Sequence, residues 1–487
     1  MIVNSEGMKQ IEANSGASAE TLMERAGAAL ADAIKKEIQP TDRILILAGC
    51  GNNGGDGYVI CRYLSGLDCR VIPVCGQPKT EAAQKNMKLL DPSVILRPSA
   101  VYRQIERADV IIDAVYGFGY HGELQSDIRN IFKAVNSSSA RVFSVDINSG
   151  AEADTDHHDI GAVRSDITFA LDCYKPAHML RKETELFREV RLIPLDLPHP
   201  EVSPYCEMNE EEFFRCFPKR RENDYKGTYG KTLLIGGSYG MAGAVSLNIT
   251  GARTVGAPYV EVCLPEEIYP IVAAKHTTAV FHPFRMHEAD RMIEPYSRKA
   301  KAIAFGSGAV ALERKEQCMD MILQSSTVPV ILDAEALRLL HHNTYILRFV
   351  KCPVILTPHL GEFAAMLNLP AEVIQDNKML YASRFAQENG VYLVLKGPNT
   401  IAASPNGEIY INQSGNPALA QAGSGDVLTG IMAGILTLTA DVFKAVCMSV
   451  WLHGYLADLG TKTHSMQGFC LESFPAIADE LFRRHGF

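Results

Sequence analysis

Short, mostly aliphatic segments recur along the whole chain and alternate with stretches of helical pattern, and this alternation constrains the fold more than any other feature. In the first half these segments are residues 44–48, 71–74, 110–114, 142–147 and 167–171. In the second half they are residues 232–235, 259–264, 302–305, 328–332, 354–356 and 391–395. Aliphatic strands separated by helices are typical of parallel sheets that are covered on both faces. We therefore predict the α/β fold class for both halves.

The two halves are expected to be separate domains. A chain of 487 residues is longer than one ordinary hydrophobic core supports. The proline-rich residues 193–200 interrupt the first alternating series, and a helical segment at residues 210–217 precedes the second. We predict domains at residues 1–206 and 207–487.

Composition argues against several classes of function. The net charge is −9 and no long run of Lys and Arg occurs, so nucleic acid and membrane surfaces are not expected as partners. The 12 cysteines form no C-x-x-C pair, which indicates free thiols in a reducing compartment. The N-terminus has no signal-peptide pattern, and no stretch of about 18 apolar residues occurs. We expect a cytoplasmic, homo-oligomeric enzyme that acts on small molecules.

The loop at residues 422–426, with the sequence Ala-Gly-Ser-Gly-Asp, precedes an apolar helical run and predicts a phosphate site. A helix N-terminus presents unpaired N–H groups and partial positive charge, which attract phosphate. Asp426 would repel phosphate, so we interpret it as a base that faces a hydroxyl beside the phosphate. The loop alone is equally compatible with a helix cap formed by Asp426.

Glycine-rich residues 49–57 follow the first strand and precede a predicted helix at residues 58–64. A strand, a glycine loop and a helix in this order can seat a pyrophosphate, although a tight turn without a ligand has the same pattern. Asp113 and Asp146 lie at the ends of two further strands, where open parallel sheets bind ligands. The oxygen donors at these ends suit a hard cation, while each aspartate taken singly is compatible with a helix cap.

The first half resembles the NAD(P)H-hydrate epimerase family, which implies a Rossmann-like three-layer domain. The matching segments, in the order of the family, are residues 22–27, 52–56, 117–123, 145–150 and 173–176. The resemblance implies that the hydrated dinucleotide contacts Asn52, Asn53, Gly54, Gly55, Asp56, Gly117, Phe118, Gly119, Tyr120, His121, Gly122, Glu123 and Asp146. It also implies a K⁺ ion held by Asn53, Asp113 and Ser149, and acid–base chemistry by Asp146. Asn148 stands where the family has proline, which predicts a less rigid loop.

Glycine turns also follow the strands of the second half, and their order resembles the ribokinase-like superfamily and, within it, the ADP- or ATP-dependent NAD(P)H-hydrate dehydratases. The matching segments are residues 226–230, 333–337, 357–362, 396–400 and 423–430. The resemblance implies that the adenine nucleotide contacts Lys396, Gly397, Pro398, Asn399, Thr400 and Gly425. It implies that the hydrate contacts Ala244, Gly308, His359 and Asp426. Tyr225, Ser307 and Leu360 stand where the family has His, Pro and Pro.

Two of these residues have simpler interpretations when each is taken alone. His359 on its own favours a buried, hydrogen-bonded histidine, and Lys396 is compatible with a solvated strand edge. Their positions directly after predicted strands favour contact with a ligand, since a lysine at a strand end can lie near phosphate.

Together the two resemblances imply a bifunctional NAD(P)H-hydrate repair enzyme, with a Rossmann-like domain followed by a ribokinase-like α/β domain. We expect Asp426 to accept the proton of the C6 hydroxyl of the S epimer while ADP or ATP donates a phosphoryl group, and we expect Mg²⁺ to offset the phosphate charge. Loss of phosphate and of a C5 proton then restores NADH or NADPH, while the epimerase converts the other epimer. Two alternatives stay open, namely a kinase of a vitamin precursor and a first domain that binds a ligand without catalysis.

Overall fold

The computed structural model of the chain describes residues 1–180, 185–200, 203–225, 227–341 and 343–487. Lys226, part of the matching segment at residues 226–230, lies outside the described residues. The chain forms two compact units, Met1–Tyr205 and Cys206–Phe487. Within the described ranges, no helix combines the length and the hydropathy that crossing a membrane requires. The prediction that the domains at residues 1–206 and 207–487 each carry one activity stays a prediction.

The first unit is built on a parallel sheet of six strands. The strands are β1 (Ile44–Ala48), β2 (Cys69–Pro73), β3 (Val110–Ala114), β4 (Arg141–Val145), β5 (Ile167–Leu171) and β6 (Val190–Ile193). Their spatial order is β2-β1-β3-β4-β5-β6. The strand order therefore reverses at β1, and in such sheets the carboxyl ends beside the reversal form a crevice for a ligand.

Helices cover both faces of this sheet. They are α1 (Ser5–Asn14), α2 (Ala19–Lys35), α3 (Asn52–Tyr63), α4 (Glu81–Lys88), α5 (Val101–Arg107), α6 (Ser126–Asn136) and α7 (Pro176–Met179). Ile44, Ile46 and Ala48 of β1 pack in one core with residues of α2 and α3. Leu45 and Leu47 pack in another with residues of α5 and α6. Because alternate residues of a strand point to opposite faces, β1 is buried along its whole length, as its aliphatic pattern predicts.

Helix α3 begins at Asn52, earlier than the predicted start at residue 58. The predicted glycine loop therefore continues directly into the first turns of a helix. A Cβ atom added to Gly54 would lie 2.0 Å from the carbonyl oxygen of Gly49. Some glycines of this segment thus allow the helix to pack closely against the preceding loop, which the sequence pattern alone did not indicate.

The second sheet is larger and mixed, with ten strands. The strands are β7 (Tyr205–Cys206), β8 (Thr232–Ile235), β9 (Val260–Pro265), β10 (Val280–Phe284), β11 (Ala302–Phe305), β12 (Val330–Leu332), β13 (Val354–Leu356), β14 (Tyr392–Leu395), β15 (Ile401–Ala403) and β16 (Ile409–Ile411). Their spatial order is β10-β9-β8-β11-β12-β13-β14-β15-β16-β7. The strands from β10 to β14 run parallel, whereas β15 is antiparallel to both β14 and β16.

The helices of the second unit cover this sheet. They are α8 (Glu210–Cys216), α9 (Ala242–Thr254), α10 (Tyr269–Lys275), α11 (Ala289–Ser297), α12 (Lys315–Ser325), α13 (Glu335–Leu339), α14 (Leu360–Leu367), α15 (Ala371–Gln375), α16 (Lys378–Asn389), α17 (Ser424–Leu438), α18 (Val442–Gly460) and α19 (Phe474–Arg484). Short 3₁₀ turns lie in the first unit at Pro92–Val94 and Pro98–Ala100. In the second unit they lie at Met286–Glu288, Thr344–Phe349, Pro417–Leu419 and Leu471–Ser473.

Helices α9 and α17 cross at very short range, and this crossing positions the start of α17. A Cβ atom on Gly251 would lie 2.2 Å from the Val427 carbonyl oxygen, and one on Gly430 would lie 2.0 Å from that of Asn248. Asn248 also donates a 2.8 Å hydrogen bond from Nδ2 to the carbonyl oxygen of Asp426. The first turn of α17 is therefore held by α9.

The sequence analysis did not predict β6, β7, β10, β15 and β16. Strand β10 contains Pro283 and is exposed or half-buried over most of its length, so it lacks the aliphatic pattern. Strands β15 and β16 have 3 residues each, too few to show a period of two.

Candidate active sites

A cavity of about 540 Å³ opens at the carboxyl ends of the first unit's strands. Its walls include Cys50 after β1, Tyr116 after β3, Asp146 after β4 and Lys175 after β5, together with side chains of α1 and α2. This placement follows from the parallel sheet, whose strands all end at the same edge. The volume is that of a site for a small molecule.

Eight of the predicted dinucleotide contacts line this cavity, namely Asn52, Asn53, Asp56, Gly117, Phe118, Gly119, Tyr120 and Asp146. Gly54 and Gly55 do not line it, because they are buried in α3. Three further predicted contacts are exposed outside the cavity wall, namely His121, Gly122 and Glu123. The Gly122 amide donates to Glu152 at 3.1 Å, and the His121 ring lies 3.9 Å from the same carboxylate. Both contacts hold this end of the loop at the surface.

Asp146 has an unusual backbone and a charged partner. Its φ of 64° lies in the left-handed region that non-glycine residues rarely adopt. Its Oδ1 atom accepts hydrogen bonds from Lys175 Nζ at 2.5 Å and from the Leu171 amide at 3.2 Å. The strained backbone and the buried ion pair together fix the carboxylate at the cavity wall, as is common where strain serves a site.

His178 contacts the backbone of both Asp146 and Lys175. Its Nε2 atom lies 2.7 Å from the Asp146 carbonyl oxygen, and its Nδ1 atom accepts a 3.0 Å hydrogen bond from the Lys175 amide. These partners assign the proton of the neutral ring to Nε2. Burial, reinforced by the charge of Lys175, lowers the pKa of His178 to about 4. His178 is therefore a neutral positioning residue, and its role could not be predicted from the sequence.

Two further carboxyl groups face the same cavity. Burial and the charges of Asp146 and Glu12 raise the pKa of Asp56 well above its ordinary range. Burial and the charge of Asp146 also raise the pKa of Glu12 on α1, although Lys175 opposes this rise. The sequence analysis gave no role to Glu12 or Lys175, although Lys175 lies in the matching segment at residues 173–176.

The structure brings the predicted cation ligands Asn53, Asp113 and Ser149 together. Ser149 donates to both oxygens of Asp113, from its hydroxyl at 2.5 Å and its amide at 2.9 Å. Asn53 Nδ2 and the Ser149 hydroxyl lie 3.0 Å and 3.3 Å from the carbonyl oxygen of Tyr116. Asp113 is buried, which raises its pKa although the Ser149 hydrogen bonds oppose the rise. The cluster contains side-chain oxygen atoms of Asn53, Asp113 and Ser149, and oxygen atoms are the ligands that a hard cation prefers.

Asn148 is tied to its surroundings through its side-chain amide. Its Nδ2 atom donates to the carbonyl oxygens of Val163 and Leu186 at 2.9 Å and 2.7 Å, and its Oδ1 accepts from Thr168 at 2.5 Å. The side chain is buried. These hydrogen bonds tie the Asn148 side chain to neighbouring segments of the unit, while the expectation of a less rigid loop stays a prediction.

In the second unit, Asp426 lies in the first turn of α17, after the left-handed Gly423 with φ 91°. Burial and the charge of Asp333 raise the pKa of Asp426 to about 6, although Ser307 and Lys396 partly oppose the rise. The carboxyl group is not the N-cap of the helix, since that position is Gly423. A carboxyl group with a pKa near neutrality suits proton transfer at physiological pH.

Lys396 and Asp333 form an ion pair beside Asp426. Lys396 Nζ lies 3.1 Å from Asp333 Oδ1, and a Cβ on Gly425 would lie 3.3 Å from the same Nζ. Thr357 and Thr429 donate further hydrogen bonds to Asp333 at 2.8 Å and 3.1 Å. Burial lowers the pKa of Lys396, but the charges of Asp333 and Glu362 outweigh it and hold that pKa above its ordinary value. Lys396 is therefore a cation at the start of α17.

His359 lies beside this ion pair, at the N-cap of α14. It forms an isolated parallel bridge with Lys396, and its Nδ1 accepts hydrogen bonds from the Gly361 and Glu362 amides at 3.1 Å and 3.2 Å. The side chain is 60% exposed, so the alternative of a buried histidine is wrong. The exposed ring can contact a ligand.

The other predicted hydrate contacts, Ala244 and Gly308, touch each other. A Cβ on Gly308 would lie 2.8 Å from the Ala244 Cβ, and its φ of 67° favours glycine. Neighbouring Ser307 accepts from Asn248 Nδ2 at 3.2 Å and donates to Asp333 at 3.3 Å. Ser307 thus links this turn to the ion pair.

The loop after β14 has two kinds of residue. Gly397 and Pro398 are exposed, whereas Asn399 and Thr400 are buried. Asn399 donates to the Asn412 carbonyl oxygen at 2.8 Å, and Thr400 donates to the Gly397 carbonyl oxygen at 3.0 Å. The buried pair shapes the loop, while the exposed pair is free to contact a nucleotide.

Comparison with known proteins gives matches to both units. A family model described as NAD(P)H-hydrate dehydratase matches residues 232–475, and one described as YjeF-related protein N-terminus matches residues 19–177. The bifunctional NAD(P)H-hydrate repair enzyme Nnr of Moorella thermoacetica is 30% identical over 498 aligned residues, which cover 94% of this chain and 92% of that protein.

Solved structures resemble the second unit. The ADP/ATP-dependent NAD(P)H-hydrate dehydratase of Bacillus subtilis, co-crystallised with ATP and Mg²⁺, is 34% identical with a TM-score of 0.51 and covers 57% of this chain and 97% of that chain. A ribokinase-like superfamily protein of Enterococcus faecalis is 22% identical with a TM-score of 0.52, covering 59% of this chain and 98% of that chain.

These findings confirm the predicted α/β fold class with a ribokinase-like second unit. They also confirm the predicted repair activities, NAD(P)H-hydrate epimerase and ADP/ATP-dependent NAD(P)H-hydrate dehydratase. The match to the repair enzyme of Moorella thermoacetica extends over nearly the whole length of both proteins. The chain therefore belongs to the family of bifunctional NAD(P)H-hydrate repair enzymes.

Proposed function

We propose that the two activities reside in separate units, with epimerisation of the C6 hydroxyl in the cavity around Asp146 and dehydration of the S epimer at Asp426. The observation that carries the proposal is the position of Asp426. Its carboxyl group lies in the first turn of α17, with a pKa of about 6 that burial and Asp333 produce. It can therefore accept a proton beside a site that attracts phosphate.

The dehydration follows from this placement. Asp426 takes the proton of the C6 hydroxyl, the hydroxyl oxygen bonds to the terminal phosphorus of ADP or ATP, and the bridging P–O bond breaks to release AMP or ADP. The C6–O bond of the phosphorylated hydrate then breaks with loss of phosphate, helped by the lone pair of the ring nitrogen. Loss of a C5 proton restores the dihydropyridine. Phosphorylation thus replaces hydroxide, a poor leaving group, with phosphate.

Lys396 and the first turn of α17 supply the charge stabilisation. We assign the nucleotide to the loop of Lys396, Gly397, Pro398, Asn399 and Thr400 and to Gly425. The proximity of Lys396 to Gly425 supports this assignment, since both lie where phosphate would meet the helix N-terminus. Mg²⁺ would arrive with the nucleotide and neutralise phosphate charge, as it binds through phosphates and few protein carboxylates.

The hydrate is assigned to Ala244, Gly308, His359 and Asp426. Exposure of the His359 ring and the contact between Ala244 and Gly308 support this placement. In the first unit the hydrate is assigned to the cavity, where Asp146 carries out acid–base chemistry at C6. The ion pair with Lys175 supports a catalytic first unit over one that only binds a ligand.

We assign a K⁺ ion to Asn53, Asp113 and Ser149. Asn53 and Ser149 both contact the Tyr116 carbonyl oxygen, and Ser149 also contacts Asp113, so the three side chains cluster there and their oxygen atoms could serve a hard cation. Such an ion would supply positive charge beside the glycine loop, where the dinucleotide phosphates would bind. Asp113 would balance that charge.

We also propose a cytoplasmic homo-oligomer. Cys61, Cys69 and the other cysteines are all free thiols, which supports a reducing compartment. Tyr345 and Phe349 lie on the 3₁₀ turn Thr344–Phe349, which packs against α16, and Leu380 lies on α16. Their side chains are 61%, 78% and 58% exposed. Exposed apolar groups of this kind favour a subunit interface. Light scattering of the purified chain measures the mass, and a monomer at all concentrations would exclude this interface.

One assay tests the proposed function as a whole. Mixed epimers of hydrated NADH are incubated with the full chain and ADP or ATP, and the return of NADH absorbance is followed. We expect complete recovery, including the R epimer, with release of inorganic phosphate. Recovery of only half the mixture would contradict a catalytic first unit. A stable phosphorylated product without NADH would instead indicate a small-molecule kinase.

A further inference from the structure

We propose that Glu12 is a second proton-transfer group of the epimerase, acting as the acid where Asp146 acts as the base. The inference rests on the proposed assignment of epimerisation to the cavity of the first unit. It extends that assignment to a residue on α1, far in sequence from the glycine loop and the strand-end aspartates.

Helix α1 is fastened to the edge of the sheet that carries the cavity. The Val3 amide donates to the Tyr174 carbonyl oxygen at 2.9 Å. The Ser5 amide donates to Asp154 Oδ1 at 2.6 Å, and the Ser5 hydroxyl donates to the Phe118 carbonyl oxygen at 3.0 Å. These contacts hold the start of α1 against the loops after β3, β4 and β5. Glu12 is therefore positioned by the fold.

Glu12 projects into the cavity from this helix. Met8, Lys9 and Glu12 line the cavity together with Asp146 and Lys175. Met8 and Glu12 are separated by one helical turn, so they share a face of α1. The cavity thus receives a carboxyl group from α1, besides those of Asp56 on α3 and Asp146 after β4.

The two carboxyl groups have opposite surroundings. The Asp146 carboxylate forms an ion pair with Lys175 Nζ at 2.5 Å. Within the described ranges, the Glu12 carboxyl group has no hydrogen-bond or ion-pair partner. Burial and the charge of Asp146 raise its pKa, although Lys175 opposes the rise, so Glu12 holds its proton to a higher pH than an exposed glutamate does. Environments that separate two neighbouring carboxyl groups in this way define an acid and a base.

This pair can invert C6 in two balanced steps. Glu12 gives its proton to the C6 hydroxyl, the C6–O bond breaks, water leaves, and the lone pair of N1 forms a C6–N1 double bond. Water then adds to the other face of C6, the π electrons return to N1, and Asp146 takes the proton released by the water. One proton leaves Glu12 and one reaches Asp146, and exchange with solvent restores both groups.

The test uses the full chain and each epimer separately. Glu12→Gln keeps the shape of the side chain but removes the proton, so we expect kcat for epimerisation to fall roughly 10²–10³-fold with KM nearly unchanged. Glu12→Asp should recover part of the rate. Glu6→Gln is the matched control, since Glu6 is an exposed acid of the same helix outside the cavity wall. Dehydration of the pure S epimer and the melting temperature should be unchanged in all variants.

A second measurement follows the oxygen atom. In ¹⁸O-labelled water the wild-type chain should place one labelled oxygen on each epimerised molecule, and Glu12→Gln should slow labelling and epimerisation equally. Wild-type rates in both Glu12→Gln and Glu12→Asp would overturn the role of Glu12, and epimerisation without label would overturn the proposed step. Absence of epimerisation in the wild type would instead overturn the proposed function of this unit.

Discussion

Both units place a lysine beside a buried aspartate at the carboxyl edge of a sheet, but the two ion pairs differ in which member is accessible. In the first unit Lys175 is 0% exposed and Asp146 4% exposed, with the charged atoms 2.5 Å apart. In the second unit Lys396 is 22% exposed and Asp333 3% exposed, at 3.1 Å. The same pair of residue types thus has a sealed lysine in one unit and a more open lysine in the other.

The difference separates two uses of an ion pair. Lys175 lines the cavity beside Asp146 but is 0% exposed to solvent and paired with that carboxylate, so we infer that it positions Asp146. An open lysine can reach a ligand, so Asp333 holds Lys396 beside the start of α17, close to the proposed base Asp426. In the proposed function the reacting carboxylate thus belongs to the ion pair in the first unit and lies outside it in the second.

The largest effect is expected in the second unit, where the proposed base Asp426 is not a member of the ion pair. Asp426→Asn should lower the dehydration rate about 10²–10⁴-fold, because an amide cannot accept the hydroxyl proton. Epimerisation should remain at the wild-type rate. The measurement is the return of NADH absorbance from the pure S epimer, with interconversion of the epimers followed by chromatography. Equal loss of both activities would disprove separate centres.

The reciprocal change tests the first unit. Asp146→Asn removes the base of the cavity and should lower epimerisation by about 10²–10⁴-fold, while the S epimer is still dehydrated. Conversion of the pure R epimer to NADH should then proceed only at the spontaneous rate. Normal use of the R epimer by this variant would remove Asp146 from the reaction.

Removing each lysine compares the two pairs directly. Lys175→Met leaves a buried, unpaired carboxylate, so it should lower the free energy of unfolding by about 3–5 kcal/mol. Lys396→Met leaves Asp333 with hydroxyl donors at Thr357 and Thr429, so a smaller loss of about 1–3 kcal/mol is expected.

Calorimetry measures these losses of stability. The KM for the nucleotide is a second measurement on which the two lysine variants should differ. Lys396→Met should raise the KM for ADP or ATP roughly tenfold, the effect of one lost charge-assisted hydrogen bond. Lys175→Met should leave that KM unchanged. A larger destabilisation by Lys396→Met than by Lys175→Met would reverse the distinction between a sealed and an open lysine.

The pH dependence of dehydration tests the proposed role of Asp426. Because its pKa is about 6 and the base must be ionised, kcat/KM for the S epimer should fall about tenfold per pH unit below pH 6. Ser307 opposes the rise of that pKa, so Ser307→Ala should move the midpoint upward. A profile that is flat between pH 5 and pH 8 would argue against Asp426 as the base.

The smallest effect concerns the scaffold. Gly430→Ala places a Cβ 2.0 Å from the Asn248 carbonyl oxygen, and relief requires α9 and α17 to move apart. We expect a loss of about 1–3 kcal/mol in the free energy of unfolding. Gly243→Ala is the control, since a Cβ there meets no atom within 4 Å. Equal melting temperatures for the two variants would show that this crossing tolerates separation.

Much of the fold was predictable because runs of aliphatic residues indicate the strands locally. Strands β1, β3, β5, β8, β11 and β13 begin and end where their aliphatic runs do. The glycine segment was harder, since α3 begins at Asn52 within it. Glycine usually interrupts a helix, and only the close approach of the Gly49 carbonyl oxygen explains its presence there.

The sequence by itself determined the α/β class, the family and the positions of Asp146 and Asp426, because these depend on periodicity and on motifs of neighbouring residues. Only the tertiary structure paired Lys175 with Asp146 across 29 residues and Lys396 with Asp333 across 63. It alone brought Glu12 into the cavity. The physical reason is that charge and burial act through space, so the roles of these groups depend on neighbours that the chain order does not reveal.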